Sequence, residues 1–482
     1  MQPEHHHYPK TMTTPTISSL IAHGARRLRI ALSLAAAALA LSAASAAAAS
    51  YSEGEVVVRY AASPGAASAA SAGGGAGTTR LVRTPPGVSV SRELDTLRSQ
   101  AGVLWAVPNY VAHATGAAPF YPDNRGAGKL PGEWQKLQWN FVGPFGIAAP
   151  EAWGNVIADG APGGKNVIVA VLDTGVAYAN RGPFRRSPGF SAAEFVHGYD
   201  FVDHNHYPND RNGHGTFVAA EIAEETNIGY GLTGLAYGAK IMPVRVLDSA
   251  GEGEASTIAE GVIFAAKHGA QVINLSLEFS PGVTAADIPE LIEAIRYAHR
   301  RGVLVVAAAG NEGHEAIAYP ARAPDVVSVG ATTEHGCLAS YSNYGSTLSL
   351  VAPGGGPDAS LPGDPNCRPE AAPGQDIFQV TFTGSSPSAF GIPSGYEGTS
   401  MATPQVAATA ALVIASGVIG HHPTPEQITA RLLGTTRKLG YSGDERLYGA
   451  GLLDAAAATA PGGPGAIASK ASSRGVASIP TA

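Results

Sequence analysis

Three short stretches of the 482-residue chain hold side chains able to act together on an acyl group: Asp173-Thr174-Gly175, Asn212-Gly213-His214-Gly215-Thr216 and Gly398-Thr399-Ser400-Met401-Ala402. A hydroxyl is a weak nucleophile until an imidazole takes its proton, and the imidazole needs a carboxylate to hold its tautomer and stabilise its cation. A fourth stretch, Ala307-Ala308-Ala309-Gly310-Asn311, brings an amide that can donate to a developing oxyanion. Each residue alone has a plainer use: Ser400 as a helix cap, His214 as a structural histidine, Asn311 as a turn residue. Nucleophile, base and orienter together in one chain favour the chemical reading. Rival chemistries fail on the same residues. Acid-dyad hydrolysis needs two apolar runs ending in Asp-Thr/Ser-Gly, and only one occurs. A Gly-x-Ser-x-Gly nucleophile turn fails at Ala402, and the chain order is Asp, His, Ser. No Gly-x-Gly-x-x-Gly joins a strand to a helix, which removes the plain nucleotide-binding reading.

Such residues must be delivered by strand ends and helix starts. Near-continuous apolar runs at 167–172, 241–247, 272–277, 303–309 and 326–329 have the pattern of strands buried on both faces. Between them lie helical segments at 216–225, 256–268, 285–300 and 400–416. The fold class that fits is α/β, a mainly parallel sheet with helices on both faces and right-handed crossovers. Asp173 and Asn311 then sit at carboxyl ends of strands, where an open α/β sheet keeps its reactive crevice. Ahead of this body, residues 51–116 form a small α+β module with strands at 55–60 and 103–107, a flexible linker through Gly77 and a helix at 93–100. Residues 117–138 are expected to be an exposed connector, 139–460 the main domain and 461–482 a disordered tail. Residues 354–396, rich in Gly, Pro and Ser with one strand at 377–382, are expected as a surface excursion.

The whole chain bounds the setting. A hydrophobic fraction of 45% and a charged fraction of 14% suit a large core, while 60 Gly and 35 Pro require many turns. The net charge of −7, with no Lys/Arg block, gives no reason to expect nucleic acid or an anionic membrane as partner. Arg26, Arg27 and Arg29 precede an apolar run and a small-residue stretch ending at Ser50. That order is a secretory signal over residues 1–50, cleaved near 47–50, with Met12 a candidate start. A twin-arginine signal fits the residues after Arg27 poorly, and no later stretch is long and apolar enough for a membrane anchor. Secretion to a periplasmic or extracellular compartment allows Cys337 and Cys367 to form a disulfide closing about 30 residues, for about 3–4 kcal/mol. Two free buried thiols are the alternative.

The stretches 171–175, 212–216, 308–311 and 398–402 resemble, in order, the four signatures of the subtilisin-like serine proteases, the subtilases, and 449–455 is similar to the family's closing motif. The resemblance implies that Ser400 attacks the scissile carbonyl, His214 carries its proton, Asp173 orients the ring, and Asn311 with the Ser400 N–H holds the oxyanion. It implies polypeptide substrates lying between 251–253 (Gly251, Gly253) and Ser276, Leu277 and Glu278, with a side-chain pocket at Ala308, Ala309, Gly310 and Ala318. Tyr319-Pro320 looks like the family's cis-peptide site. The module from Tyr51 resembles the family's propeptide, implying an inhibited zymogen cut somewhere in 114–130; a monomer is expected. Asp200, Asn205 and Asn209 lie in an oxygen-rich loop similar to a structural calcium site in some subtilases, and 227–232 faintly resembles another. The chemistry itself requires no cofactor. Phe217, Ala220, Gln405 and Ala408 depart from the family pattern on the helices behind His214 and Ser400, which implies altered helix packing. Glu278 and Phe279 replace glycines, which points to narrowed specificity and a preference for basic residues upstream of the cut.

Overall fold

The structure, a computed structural model, describes residues 51–61, 77–85, 88–110, 117–440 and 445–464. The expected signal segment 1–50, the linker residues 62–76 and most of the tail lie outside the described residues. The chain divides into two compact units, 1–112 and 113–482.

In the first unit, β1 (Tyr51–Ala61), β2 (Gly77–Arg83) and β3 (Val103–Tyr110) form an antiparallel sheet in the order β2-β1-β3, and the helix Val90–Arg98 lies between β2 and β3 in the chain. The period-two pattern of β1 buries Val56 and Val58 against Val90, Leu94, Leu97 and Ala106. Ser89 caps the helix by accepting from Arg92 N–H. β2 was not expected. Its sequence, Gly-Thr-Thr-Arg-Leu-Val-Arg, shows little apolar alternation and Leu81 is 56% exposed, so its pairing with β1 carries the strand.

The second unit is a seven-stranded parallel sheet of order β10-β9-β8-β7-β4-β6-β5. Its strands are β4 (Ile168–Asp173), β5 (Tyr199–Asp200), β6 (Lys240–Arg245), β7 (Val272–Leu275), β8 (Leu304–Ala308), β9 (Val326–Thr332) and β10 (Leu350–Pro353). β4 shows why the runs are apolar throughout: Val169 and Val171 enter one core, Ala170 and Leu172 the other. Helices Ala255–Lys267 and Pro289–Arg300 cover one face; Ala149–Ala158, His214–Ala223 and Thr399–Ser416 cover the other. Sheet order reverses at β4, which has β6 on one side and β7 on the other. The carboxyl end of β4 is therefore the topological switch point.

Two expectations need correcting. Residues 377–382 are not a surface strand: only Thr381–Phe382 pairs, with Phe390–Gly391, and Ile377, Gln379 and Val380 are buried. The connector 117–138 is not free of the body. Tyr121 and Leu130 are exposed, but Asn124 and Trp134 are wholly buried, and Phe120 packs edge-on against Trp153 at 6.3 Å. The two-residue β5 and the β10 edge strand were too short or too polar in their flanks to stand out. The Cys337–Cys367 disulfide is formed, with Cα atoms 4.8 Å apart.

Candidate active site

Asp173 is the last residue of β4 and is fully buried. Its Oδ1 accepts from Thr174 N–H at 2.7 Å and lies 2.8 Å from His214 Nδ1. His214 opens the helix His214–Ala223, and the glycines beside it have distinct jobs. Gly213 takes φ 111, and a Cβ on Gly215 would come within 2.1 Å of the Gly175 carbonyl, so only glycine lets this helix start approach β4. The resulting pair has opposed pressures on the ring. Burial disfavours the imidazolium, but the charge and hydrogen bond of Asp173 and the charge of Asp210 outweigh it, leaving the His214 pKa above the ordinary histidine value.

Asp210 escaped the sequence reading as a site residue. Its buried carboxylate accepts from Thr174 Oγ1, Asn212 N–H and Gly213 N–H through Oδ1, and from the Thr216 N–H and hydroxyl through Oδ2, at 2.6–3.0 Å. Burial raises its pKa against those bonds. Thr174 Oγ1 also accepts from Gly215 N–H at 3.0 Å, so Asp210 ties the turn after β4 to the turn before His214. The signal was an acid four residues ahead of the histidine, read instead as part of a cation loop.

Ser400 lies in the first turn of Thr399–Ser416, a helix apolar on every side and buried almost throughout. Pro404 has no N–H to offer the Ser400 carbonyl four residues earlier, and the Ser276 hydroxyl takes that carbonyl at 2.8 Å. In return the Ser400 hydroxyl donates to the Ser276 carbonyl at 3.2 Å. Asn311 follows β8; its Oδ1 accepts from the Thr399 N–H at 2.8 Å and the Thr399 hydroxyl at 3.0 Å, which fixes the amide beside the start of the Ser400 helix. His214, Ser400 and Asn311 line one cleft of about 550 Å³, bordered by Gly251 and Gly253 on one rim and Ser276, Leu277 and Glu278 on the other.

The expected pocket residues divide. Ala308 lines the cleft, while Ala318 lines a smaller pocket next to it. A Cβ on Gly310 would meet Asn343 Nδ2 at 2.2 Å, Glu278 Oε2 at 2.6 Å and Ala318 Cβ at 3.1 Å, so Gly310 is a crowded crossing point. Ala309 is not a wall residue: it is wholly buried in the core, donating its N–H to Val329 and accepting from Ala318 N–H. Tyr319-Pro320 is cis. The departures behind the site converge on packing. Phe217 stacks on Tyr396 at 4.2 Å within a cluster that includes Trp139, Ile377 and Met401, and Gln405 Nε2 donates to the carbonyls of Pro353 and Met401.

In both loops that resemble calcium sites the oxygens, Asn209 Oδ1 apart, have partners within the chain. Buried Arg245 reaches Asp200 Oδ2 at 3.0 Å and Asp203 Oδ2 at 3.1 Å, so a guanidinium already balances the carboxylates. Asp200 Oδ1 accepts from Val202 and Asp203 N–H, and Asn205 Oδ1 from Tyr207 N–H. Asn209 Oδ1 is buried without a partner, one oxygen where a hard cation takes six to eight. In the loop 225–232 the carbonyls of Glu225, Tyr230 and Leu232 converge on Asn124 Nδ2 at 3.3, 3.1 and 2.6 Å. Asn124 Oδ1 accepts from Asn227 N–H at 2.7 Å. An amide thus fills that ring. Among the described residues no group of three or more His, Cys, Asp or Glu is placed to hold a metal.

A family model described as the subtilase family matches residues 164–451. The thermophilic serine proteinase of Bacillus sp. (strain AK1) is 35% identical over 68% of this chain and 67% of its own length. Thermitase of Thermoactinomyces vulgaris is 37% identical over 57% of this chain and 82% of its own. Subtilisin Savinase of Lederbergia lenta is 38% identical over 61% and 91%. Among solved structures, a protease from Pseudoalteromonas arctica covers 70% of this chain and 99% of its own, with a TM-score of 0.56 and 31% identity. A lanthipeptide protease covers 68% and 95%, with a TM-score of 0.52 and 25% identity.

Proposed function

The chain belongs to the subtilase family and is a subtilisin-like serine endopeptidase, and from that premise we propose that Asp173, His214 and Ser400 are its catalytic triad and Asn311 its oxyanion donor. The observation that carries the assignment is the 2.8 Å contact of buried Asp173 with His214 Nδ1, in the one cleft that Ser400 and Asn311 also line. His214 Nε2 takes the Ser400 proton as Oγ leaves the Ser276 carbonyl and bonds to the substrate carbonyl carbon. Asp173 stabilises the imidazolium, and the Asn311 amide with the Ser400 N–H receives the oxyanion. The proton then passes from Nε2 to the leaving amine, and water repeats the sequence to free the acyl group. The elevated His214 pKa keeps the ring charged at low pH, so activity is expected only as pH rises past the ordinary histidine range.

The segment 1–50 serves as a secretory signal and 51–116 as a propeptide removed on maturation. Because Phe120 and Asn124 pack into the body, the cut falls between 114 and 120, within the wider interval expected from sequence. The test is purified protein on unfolded casein. Wild type is expected to hydrolyse it, to be silenced by a serine-directed phosphonylating reagent, and to lose the N-terminal unit. Ser400→Ala, shown to be folded by a cooperative melting transition, should do none of these; casein hydrolysis surviving in that variant overturns the mechanism.

A further inference from the structure

The donors of Asn311 are already engaged. Its backbone N–H donates to Glu278 Oε2 at 3.1 Å and its Nδ2 to Glu278 Oε1 at 3.1 Å. The carboxyl gets there by crossing Gly310, the position where a Cβ would stand 2.6 Å from Oε2. Burial, then the charge of Glu312, pushes the Glu278 pKa up to about 7 against the hydrogen bonds from Asn311. Glu312 is held in turn by Asn343, whose Nδ2 donates to its Oε2 at 2.6 Å. Among the described residues neither carboxylate has a Lys or Arg within ion-pair distance. Arg322, which lines the small pocket with Glu312, lies over the Tyr319 ring at 4.6 Å. The other titratable groups around Glu278 are His314 behind Glu312, Glu252 on the facing rim and His214 across the cleft.

Resting on the triad assignment above, we propose that Glu278 gates the oxyanion donor: ionised, it holds Asn311 and repels a second anion on the same amide, and a cationic substrate side chain entering beside Gly310 relieves both. An amide nitrogen has two hydrogens, so geometry alone allows Glu278 and an oxyanion to share it. Charge does not, since two anions on one donor in a half-buried cleft are weakly screened. Protonated Glu278 imposes no such penalty. A Lys or Arg side chain on the acyl side of the cut pairs with Glu278 and Glu312 and neutralises the gate at pH values where it is ionised. Selectivity for basic residues then appears in kcat, the step in which the oxyanion forms, as well as in binding.

Glu278 is thus a positioning residue, tested by kcat and KM for two peptide amides that differ only in Arg or Leu before the cut, from pH 5.5 to 9.5. In wild type, the Arg/Leu ratio of kcat is expected to rise about tenfold between pH 7 and 9, the His214 titration being common to both peptides and cancelling in the ratio. In Glu278→Gln and Glu278→Gly the Arg/Leu ratio of kcat should no longer change with pH and should be about tenfold lower at pH 9. Titration with the phosphonylating reagent counts competent sites, so misfolded variant does not imitate the effect. A kcat ratio that still changes with pH in both variants, or an Arg preference carried by KM alone, overturns the gate. Wild type that cleaves neither peptide nor casein overturns the triad assignment instead.

Discussion

Asn311 is held from two directions, by Thr399 through its carbonyl oxygen and by Glu278 through its nitrogens. Replacing it by Leu removes the oxyanion donor, and kcat should fall about 10²–10³-fold with KM little changed, the size seen for this donor in subtilisin itself. A loss confined to KM would mean the amide acts in binding and not in the transition state. Asp173, His214, Ser400 and Asn311 were legible because each lies within two residues of a glycine at a strand end or helix start, a local pattern. Asp210 and the grip of Glu278 on Asn311 were not. Their meaning lies in partners brought by other elements: Thr216 and Thr174 for one, Asn311 and Glu312 for the other.

At the scale of elements, the helix His214–Ala223 carries a cost on its hidden side. Glu221 is wholly buried, and its pKa is pushed to about 8 by burial against hydrogen bonds from Gln379 and Asn140; Glu194 is likewise pushed to about 8 by burial. Both folded pKa values lie above the unfolded carboxylate value. The folded state therefore keeps protons the unfolded chain has lost, and the stability these groups contribute is complete at acid pH and lost as pH rises through about 8. Melting of Ser400→Ala, which cannot digest itself, should show a midpoint falling between pH 5 and 9, and Glu221→Gln should flatten the fall. An unaltered pH dependence in that variant would assign the effect elsewhere. The loops give a second test. With Arg245 in one and Asn124 in the other, a chelator should leave the midpoint of that same protein unchanged, whereas Asn124→Ala, which takes the shared donor from three carbonyls, one of them buried, should cost about 2 kcal/mol in a urea titration. A chelator-induced drop would place a structural cation in the protein. The long apolar strands were readable from composition; β2, β5 and β10 depend on the strand beside them and were not.

For the second unit as a whole, the seven-stranded sheet explains why four distant segments meet at one cleft: β4 is an interior strand, and later strands are added on both sides of it. The parallel fold class was legible from the apolar runs, but the order of strands was not, because periodicity records burial and not neighbours. The Cys337–Cys367 bridge closes a separation of 30 residues at the edge beyond β9. Changing both cysteines to serine should lower stability by about 3–4 kcal/mol in urea, without altering kcat on casein; an equal midpoint in reduced and oxidised protein would show the bridge to be dispensable.

A protease is also a substrate for its neighbours, and strands of chain that come loose are the first to be cut. The arm from Phe120 to Trp134 is fastened by the Asn124 amide, a clasp made of the chain itself. A clasp formed by a dissolved ion opens when the medium is diluted or stripped of that ion, but a covalently attached amide has no such concentration dependence. The lifetime of this arm against self-digestion should therefore be set by temperature and pH, and be the same in hard water and soft.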